Sequence, residues 1–208
     1  NMKRLQEILN ANGAKLEVDG VVGNFTLTAL HMFIKAQITK RKWVMPKDGF
    51  VWLRTDEKLT NSFDDFVAVY RHGMPITVLP CSTTAGDFYV FSPLSVGGIT
   101  GTAIAAEQQI IGSHQFVTNS NWKSLWLGAP YFQQVRPITI YRDGNKDRTI
   151  DKKVTQFGLY GINFHRAGVG SIIDRWSAGC QVVPDKQWFS TVSHFTNGQI
   201  IDYTLIQL

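Results

Sequence analysis

Apolar positions recur at helical spacing in three places along the chain. Leu5, Ile8 and Leu9 share one face of residues 3–12, and Asn12-Gly13 supplies the positive-φ stop that ends many helices. Leu27, Leu30, Ile34 and Ile38, with Phe33 alongside, stripe a second helix over 25–40, and Lys40-Arg41-Lys42 complement the negative end of its dipole. Trp188, Phe189, Val192 and Phe195 fall on one side of a third, over 185–195. Between the first two helices runs a turn-rich connector with Asp19-Gly20 at its centre, and residues 41–50 combine charge, Pro46 and Gly49 in the manner of a linker. From Phe50 onward the period shortens. Runs of β-branched and aromatic residues between turn signals predict strands at 50–54, 63–70, 76–79, 88–91, 138–142, 158–165, 181–183 and 199–208. Many short strands without intervening helices predict a β-sandwich or barrel rather than βαβ units. No internal repeat is visible.

The chain has 208 residues, enough for one large domain or an ordinary domain plus a small one. An apolar fraction of 44% against 18% charged allows a real core and argues against long disorder. Mean hydropathy is −0.08, and no apolar run reaches the roughly 18–20 residues of a membrane span. Two cysteines are too few for a disulfide scaffold. The net charge of +5 is uneven: residues 1–42 hold seven Lys/Arg against three Asp/Glu. A basic N-terminal piece suits a polyanion such as nucleic acid, an anionic membrane or an acidic wall polymer, or it is a solvated face serving solubility. The aromatic and basic interleaving of single-strand binders is missing there, so nucleic acid is not expected as a partner. Asn1-Met2-Lys3-Arg4 begins no signal peptide, because the apolar residues after it are helix-spaced.

The N-terminal segment resembles the small three-helix peptidoglycan-binding domain. The likeness lies in Leu5-Gln6-x-x-Leu9, Val18-Asp19-Gly20-x-x-Gly23 and Thr26-x-x-Ala29-Leu30-x-x-Phe33, about 35 residues in all. It implies wall binding through a shallow groove. The alternative is a helical hairpin that packs on the larger domain.

Candidate chemistry concentrates late in the chain. Cys180 follows Ser177-Ala178-Gly179, where small residues let the backbone turn tightly and let a substrate approach. Backbone N–H groups in such a turn can face a developing oxyanion. His165 follows the alternating Ile162-Asn163-Phe164, so a strand end would hold an imidazole against a thiol on a neighbouring element. A Cys–His pair is the simplest nucleophilic machine this chain can build. Taken singly, Cys180 reads as a buried small hydrophobe and His165 as a structural histidine.

Together they resemble the L,D-transpeptidase catalytic signature: a strand-borne histidine, then Ser177-x-Gly179-Cys180 with its cysteine fifteen positions after the histidine. That likeness implies a mostly β catalytic domain with Cys180 as acylated nucleophile, His165 as its base, and Gly179 with Cys180 as amide donors of the oxyanion hole. Ser177 and Asn163 are then substrate-side positions. Two departures stand out. Arg166 replaces the usual Gly after the histidine, and Val182 stands where the family carries a substrate-holding Arg. Arg166 or Arg175 would supply the replacement guanidinium. The sequence around both motifs looks most like the phage-encoded branch of the family.

The combined expectation is an α+β chain. Residues 1–42 form a small helical peptidoglycan-binding module, and 43–208 form a mostly β, L,D-transpeptidase-like catalytic domain. The activity implied is an endolysin-like, bacteriolytic cysteine peptidase cutting stem-peptide or cross-link bonds next to diaminopimelate. The alternatives are a cross-linking L,D-transpeptidase or a non-catalytic wall-binding protein. The expected partner is peptidoglycan, for a monomer without a membrane span. The expected location is host cytoplasm, then periplasm and wall after release, or else the bacterial envelope. An active Cys180 is expected to alkylate fast near neutral pH with a depressed pKa.

Other candidates are weaker. Residues 143–151 place oxygen ligands at alternate positions, but Arg148 stands where a calcium loop has Gly and Val154 where it has Glu, so a polar turn is expected. His31, His72, His114, His165 and His194 show no zinc spacing. Cys81 reads as buried, and no Cys81–Cys180 disulfide is expected. No metal and no cofactor are therefore expected. Residues 97–103 are Gly-rich without a phosphate-gripping Lys and read as a loop edging the cleft. Trp122, Trp126, Tyr131 and Phe132 read as core beneath a long loop, or as a lid.

Overall fold

The structure, a computed structural model, describes residues 1–96, 98–118 and 129–208. Two helices open the chain, α1 (Met2–Ala11) and α2 (Asn24–Lys40), and a mostly β body follows. Strands β1 (Gly49–Arg54), β2 (Asp65–Arg71) and β3 (Met74–Cys81) form a meander, and helix α3 (Asp87–Phe91) comes next. Then come β4 (Ser95–Val96), β5 (Ile99–Thr100), β6 (Thr102–Ala105), β7 (Gln108–Val117), β8 (Tyr131–Gln134), β9 (Ile138–Asp143) and β10 (Thr155–Gly158). The chain finishes with β11 (Phe164–Arg166), β12 (Gln181–Val183), helix α4 (Asp185–Val192) and β13 (Ile200–Gln207).

Eight strands form the main sheet in the order β12-β11-β8-β7-β13-β1-β2-β3. The β1/β13 and β11/β12 pairs are parallel and the others antiparallel. The two ends of the sheet meet. Ser82, just past β3, exchanges backbone hydrogen bonds of 2.9 and 3.0 Å with Val182 of β12, so the sheet curls towards a barrel. A three-stranded sheet, β10-β9-β6, lies beside it.

All six residues of β1 are buried because both faces of the strand are covered. Phe50 and Trp52 point into the barrel core with Phe132, Phe164, Trp188 and Tyr203. Val51 and Leu53 point the other way, onto Leu5 and Leu9 of α1 and Leu30, Phe33, Ile34 and Ile38 of α2. The helical stripes read from sequence therefore close over the outer face of the sheet and share its core. The residues behind the wall-binding resemblance knit the connector between the helices. Gln6 donates to Asp19 Oδ1 (2.8 Å) and accepts from Gly20 N (2.7 Å), and Asp19 Oδ1 accepts from Val21 N. Among the described residues no helix is long and apolar enough to cross a membrane.

Three expectations need correction. Residues 88–91 form helix α3 instead of a strand: Gly86 caps it, the Gly86 carbonyl accepts from Val90 N, and only Val90 is buried, so no alternating face exists to pair. The continuous strand expected at 158–165 is broken, because Gly161 sits at φ +68°. The side chain of Gln134 there takes the place of a strand partner, accepting from Tyr160 N and Ile162 N at 3.1 and 3.0 Å. Two core strands, β7 and β8, were not foreseen. β7 carries the inward polar residues Gln108 and His114 and a bulge at Gly112, whose N–H donates to Asp202 Oδ1. Tyr131 and Phe132 are core residues of β8, while Trp122 and Trp126 lie outside the described residues.

Candidate active site

The turn before β12 is built around one hydroxyl. Ser177 is buried, and its Oγ accepts from Gly179 N at 3.0 Å while its own hydrogen is directed to Cys180 O at 2.8 Å, with Thr84 O at 3.2 Å. Gly179 has φ +127°, and a Cβ there would overlap the Ala103 carbonyl oxygen. No other residue type fits that position. Ser177 therefore acts inside the turn. The Gly179 N–H, expected to serve the oxyanion, is engaged by Ser177; the amides that face the sulfur are those of Cys180 itself and Asn163.

Strand register sets the Cys180–His165 relation. In the parallel β11/β12 pair, His165 lies opposite Val182, and Gln181 N donates to Asn163 O. Cys180 is two residues before Val182, so it shares the face of His165. Strand spacing puts the two Cα atoms roughly 8 Å apart. The Asn163 side chain is spent on structure, its Oδ1 accepting from Gln134 N at 2.9 Å. His165 is fully buried, with Nδ1 2.7 Å from the Arg166 carbonyl oxygen. A carbonyl only accepts, so Nδ1 carries the proton and Nε2 the basic lone pair.

Electrostatics leave both groups neutral at pH 7. Burial lowers the His165 pKa to about 4, against a smaller pull upward from its hydrogen bond to Arg166 O. Burial likewise raises the Cys180 thiol to about 11, opposed by the Asn163 and Cys180 amides. The thiol also donates to Gly161 O at 3.3 Å, which favours its protonated form. The depressed thiol pKa expected from the sequence is thus reversed. Cys81 is a second free thiol, buried at the end of β3, where burial pushes its pKa well up.

Cys180 opens on a cavity of about 230 Å³ between the two sheets, walled by Ala103, Arg142, Tyr160, Gly161 and Ile162. Of the two arginines expected to replace the missing guanidinium, neither lines it. Arg166 sits over the Phe189 ring of α4 at 5.9 Å, and Arg175 stacks on Phe88 of α3 at 4.0 Å. The arginine that does line the cavity is Arg142 of β9, which was missed. Its signal in the sequence was the alternation Ile138-x-Ile140-x-Arg142, which puts a charge on an inward face.

His114 is a structural histidine. It is stacked on Phe164, Nε2 donates to Ile162 O at 2.8 Å, and burial holds its pKa near 3. The 143–151 loop folds as successive polar turns closed by Asp143, Asn145, Asp147 and Asp151. Among the described residues no group of three His, Cys, Asp or Glu is placed to hold a metal.

No family model matches the chain, and no curated protein matches it. Among solved structures, one match is the crystal structure of the L,D-transpeptidase (residues 123–326) from Xylanimonas cellulosilytica. It is 14% identical over 99% of this chain and 92% of that chain, with a TM-score of 0.31. A likeness that slight carries no argument about fold or activity.

Proposed function

We propose that the chain is a cysteine acyl-transfer enzyme acting on peptidoglycan stem peptides, in the manner of an endolysin peptidase. The observation that carries this reading is the placement of Cys180. Its thiol borders a cavity, and His165 stands on the same face of the adjoining parallel strand, in the tautomer of a base. In the reaction Sγ attacks a substrate carbonyl as its proton passes to His165 Nε2. His165 then returns the proton to the leaving amine, and water releases the acyl group from the thioester. The choice of stem peptide, and of the bond next to diaminopimelate, rests on the resemblance of His165 and Ser177-x-Gly179-Cys180 to the L,D-transpeptidase signature.

The N-terminal helices would hold the enzyme to the wall. In support, the surface beside the Asp19-Gly20 connector is concave, and Phe25 there is 86% exposed without being needed by the core. The basic balance of residues 1–42 suits an acidic polymer. The test is mass spectrometry of defined peptidoglycan fragments incubated with the protein and with its Cys180→Ala variant. Loss of a residue or splitting of a cross-link, absent in the variant, is the expected result. New cross-linked mass would make the chain a transpeptidase. Unchanged fragments, with sacculi still bound, would leave a wall-binding protein.

A further inference from the structure

β9 alternates Ile138 and Ile140 into the barrel core, and the next inward position is Arg142. That side chain is only 5% exposed and is held on three sides. Nε donates to Gln156 Oε1 at 2.6 Å, Nη1 donates to Gly101 O at 3.2 Å, and the guanidinium lies 5.0 Å from the centre of the Tyr160 ring. Gly101, at φ +147°, has no side chain to hold Arg142 off, since a Cβ there would lie 3.0 Å from the Arg142 backbone. The remaining nitrogen, Nη2, donates to nothing among the described residues, and Arg142 is part of the cavity wall.

Within the described residues the charge has no countercharge. Among the described residues no carboxylate lies within 4 Å of Arg142. The other buried arginine shows the contrast. Arg54 is joined through Thr83 to buried Asp65, which accepts from Thr83 Oγ1 at 2.6 Å, so its charge is answered inside the fold. A nearly buried, rigidly held guanidinium with no countercharge is costly unless something supplies one. Here Arg142 lines the same cavity as Cys180.

We infer that Arg142 binds a carboxylate of the substrate and so selects acyl donors with a free acid close to the carbonyl that Cys180 attacks. This deepens the proposed peptidase reading and rests on it. A cavity of about 230 Å³ is roughly 8 Å across if taken as a sphere, so carboxylate and carbonyl belong to the same or adjacent residues. The guanidinium fork, fixed in advance by Gln156, Gly101 and Tyr160, gives up little entropy on binding.

The test measures binding by calorimetry on the intact Cys180→Ala protein, which turns nothing over. The probes are two stem tetrapeptides, one with the diaminopimelate side-chain carboxylate and the C-terminal carboxylate free and one with both amidated. The free acid should bind about 10- to 100-fold more tightly. Arg142→Gln should remove that preference, and Arg142→Lys should keep part of it. Equal affinity for the two peptides, or a preference that survives Arg142→Gln, overturns the assignment. Should Arg142→Gln fail to fold, Arg142→Lys carries the comparison: a full preference retained there with unaltered affinity overturns the assignment, and equal affinity for the two peptides overturns it with no change at 142. Binding of neither peptide overturns the assignment together with the stem-peptide substrate. The peptidase reading fails separately, if the unaltered protein gives no Cys180-dependent product.

Discussion

The neutral Cys180–His165 pair makes a prediction that can be worked in numbers. With the thiol near pKa 11, about one molecule in 10⁴ is thiolate at pH 7. A free cysteine of pKa about 8.5 is about 3% thiolate there, some 300-fold more. A more basic thiolate is a better nucleophile, by roughly 15-fold over a gap of about 2.5 units. Iodoacetamide should therefore alkylate Cys180 about 20-fold more slowly at pH 7 than it does a free thiol, with the rate still rising past pH 10. The assay follows the Cys180 peptide by mass spectrometry between pH 6 and 11.5. Fully buried Cys81 serves as an internal control that should stay unlabelled while the fold holds. His165→Ala should barely change this rate, because in the resting pair the imidazole is not what ionises the thiol. The same variant should cost turnover about 10²- to 10⁴-fold, the usual worth of a positioned base. A plateau below pH 8, abolished by His165→Ala, would refute the neutral pair and require a protonated His165.

Three further predictions follow from the same geometry. Ser177→Ala leaves the buried Gly179 N–H without its acceptor and should cost about 1–3 kcal/mol in urea unfolding, with activity falling as the Cys180 turn loosens. Gly179→Ala forces a Cβ onto the Ala103 carbonyl at a left-handed φ; it should lose about 3 kcal/mol or more, or yield no soluble protein, and a wild-type melting curve would contradict the turn as described. For His114, pKa about 3 when folded and about 6.5 when unfolded, the unfolded chain binds the extra proton between those values, so stability is complete above pH 6.5 and falls as pH drops. Against a His114→Gln variant, in which the raised pKa values of Asp65 and Asp143 cancel from the comparison, the wild type should lose about 1.4 kcal/mol more per pH unit from 6 down to 4.

What was legible in the sequence was local. Leu5/Leu9 and Leu30/Ile34/Ile38 announce their helices because each helix buries one stripe, and β1, β2 and β9 announce themselves by dense β-branched and aromatic runs. The Ser-Ala-Gly-Cys turn was readable because a tight turn needs small residues in sequence order. β7 was hidden because its inward face carries Gln108 and His114, polar residues that the core accepts only because backbone groups far along the chain, at Thr139 and Ile162, bond to them. The break at Gly161 was hidden for a related reason: the partner that replaces the lost ladder is the side chain of Gln134, 27 positions away. Arg142 was missed because nothing local ties it to Cys180; the two meet only through the packing of one sheet on another.

That division has a chemical sense. Cys180 and His165, the proposed nucleophile and base, lie just before β12 and on β11, at the seam where the main sheet curls round to meet the segment after β3, and Ser177 ties the same seam to Thr84. Neighbouring strands in one hydrogen-bonded ladder fix their relation to within the pleat, so the bond-making half of the site is as rigid as the fold. The half that would read the substrate comes from elsewhere: Ala103 and Arg142 from the three-stranded sheet, and Tyr160–Ile162 from the loop that Gly161 turns. A change at Arg142 should therefore alter which acyl donor is accepted without moving Cys180, whereas a change at Ser177 or Gly179 should slow every donor alike.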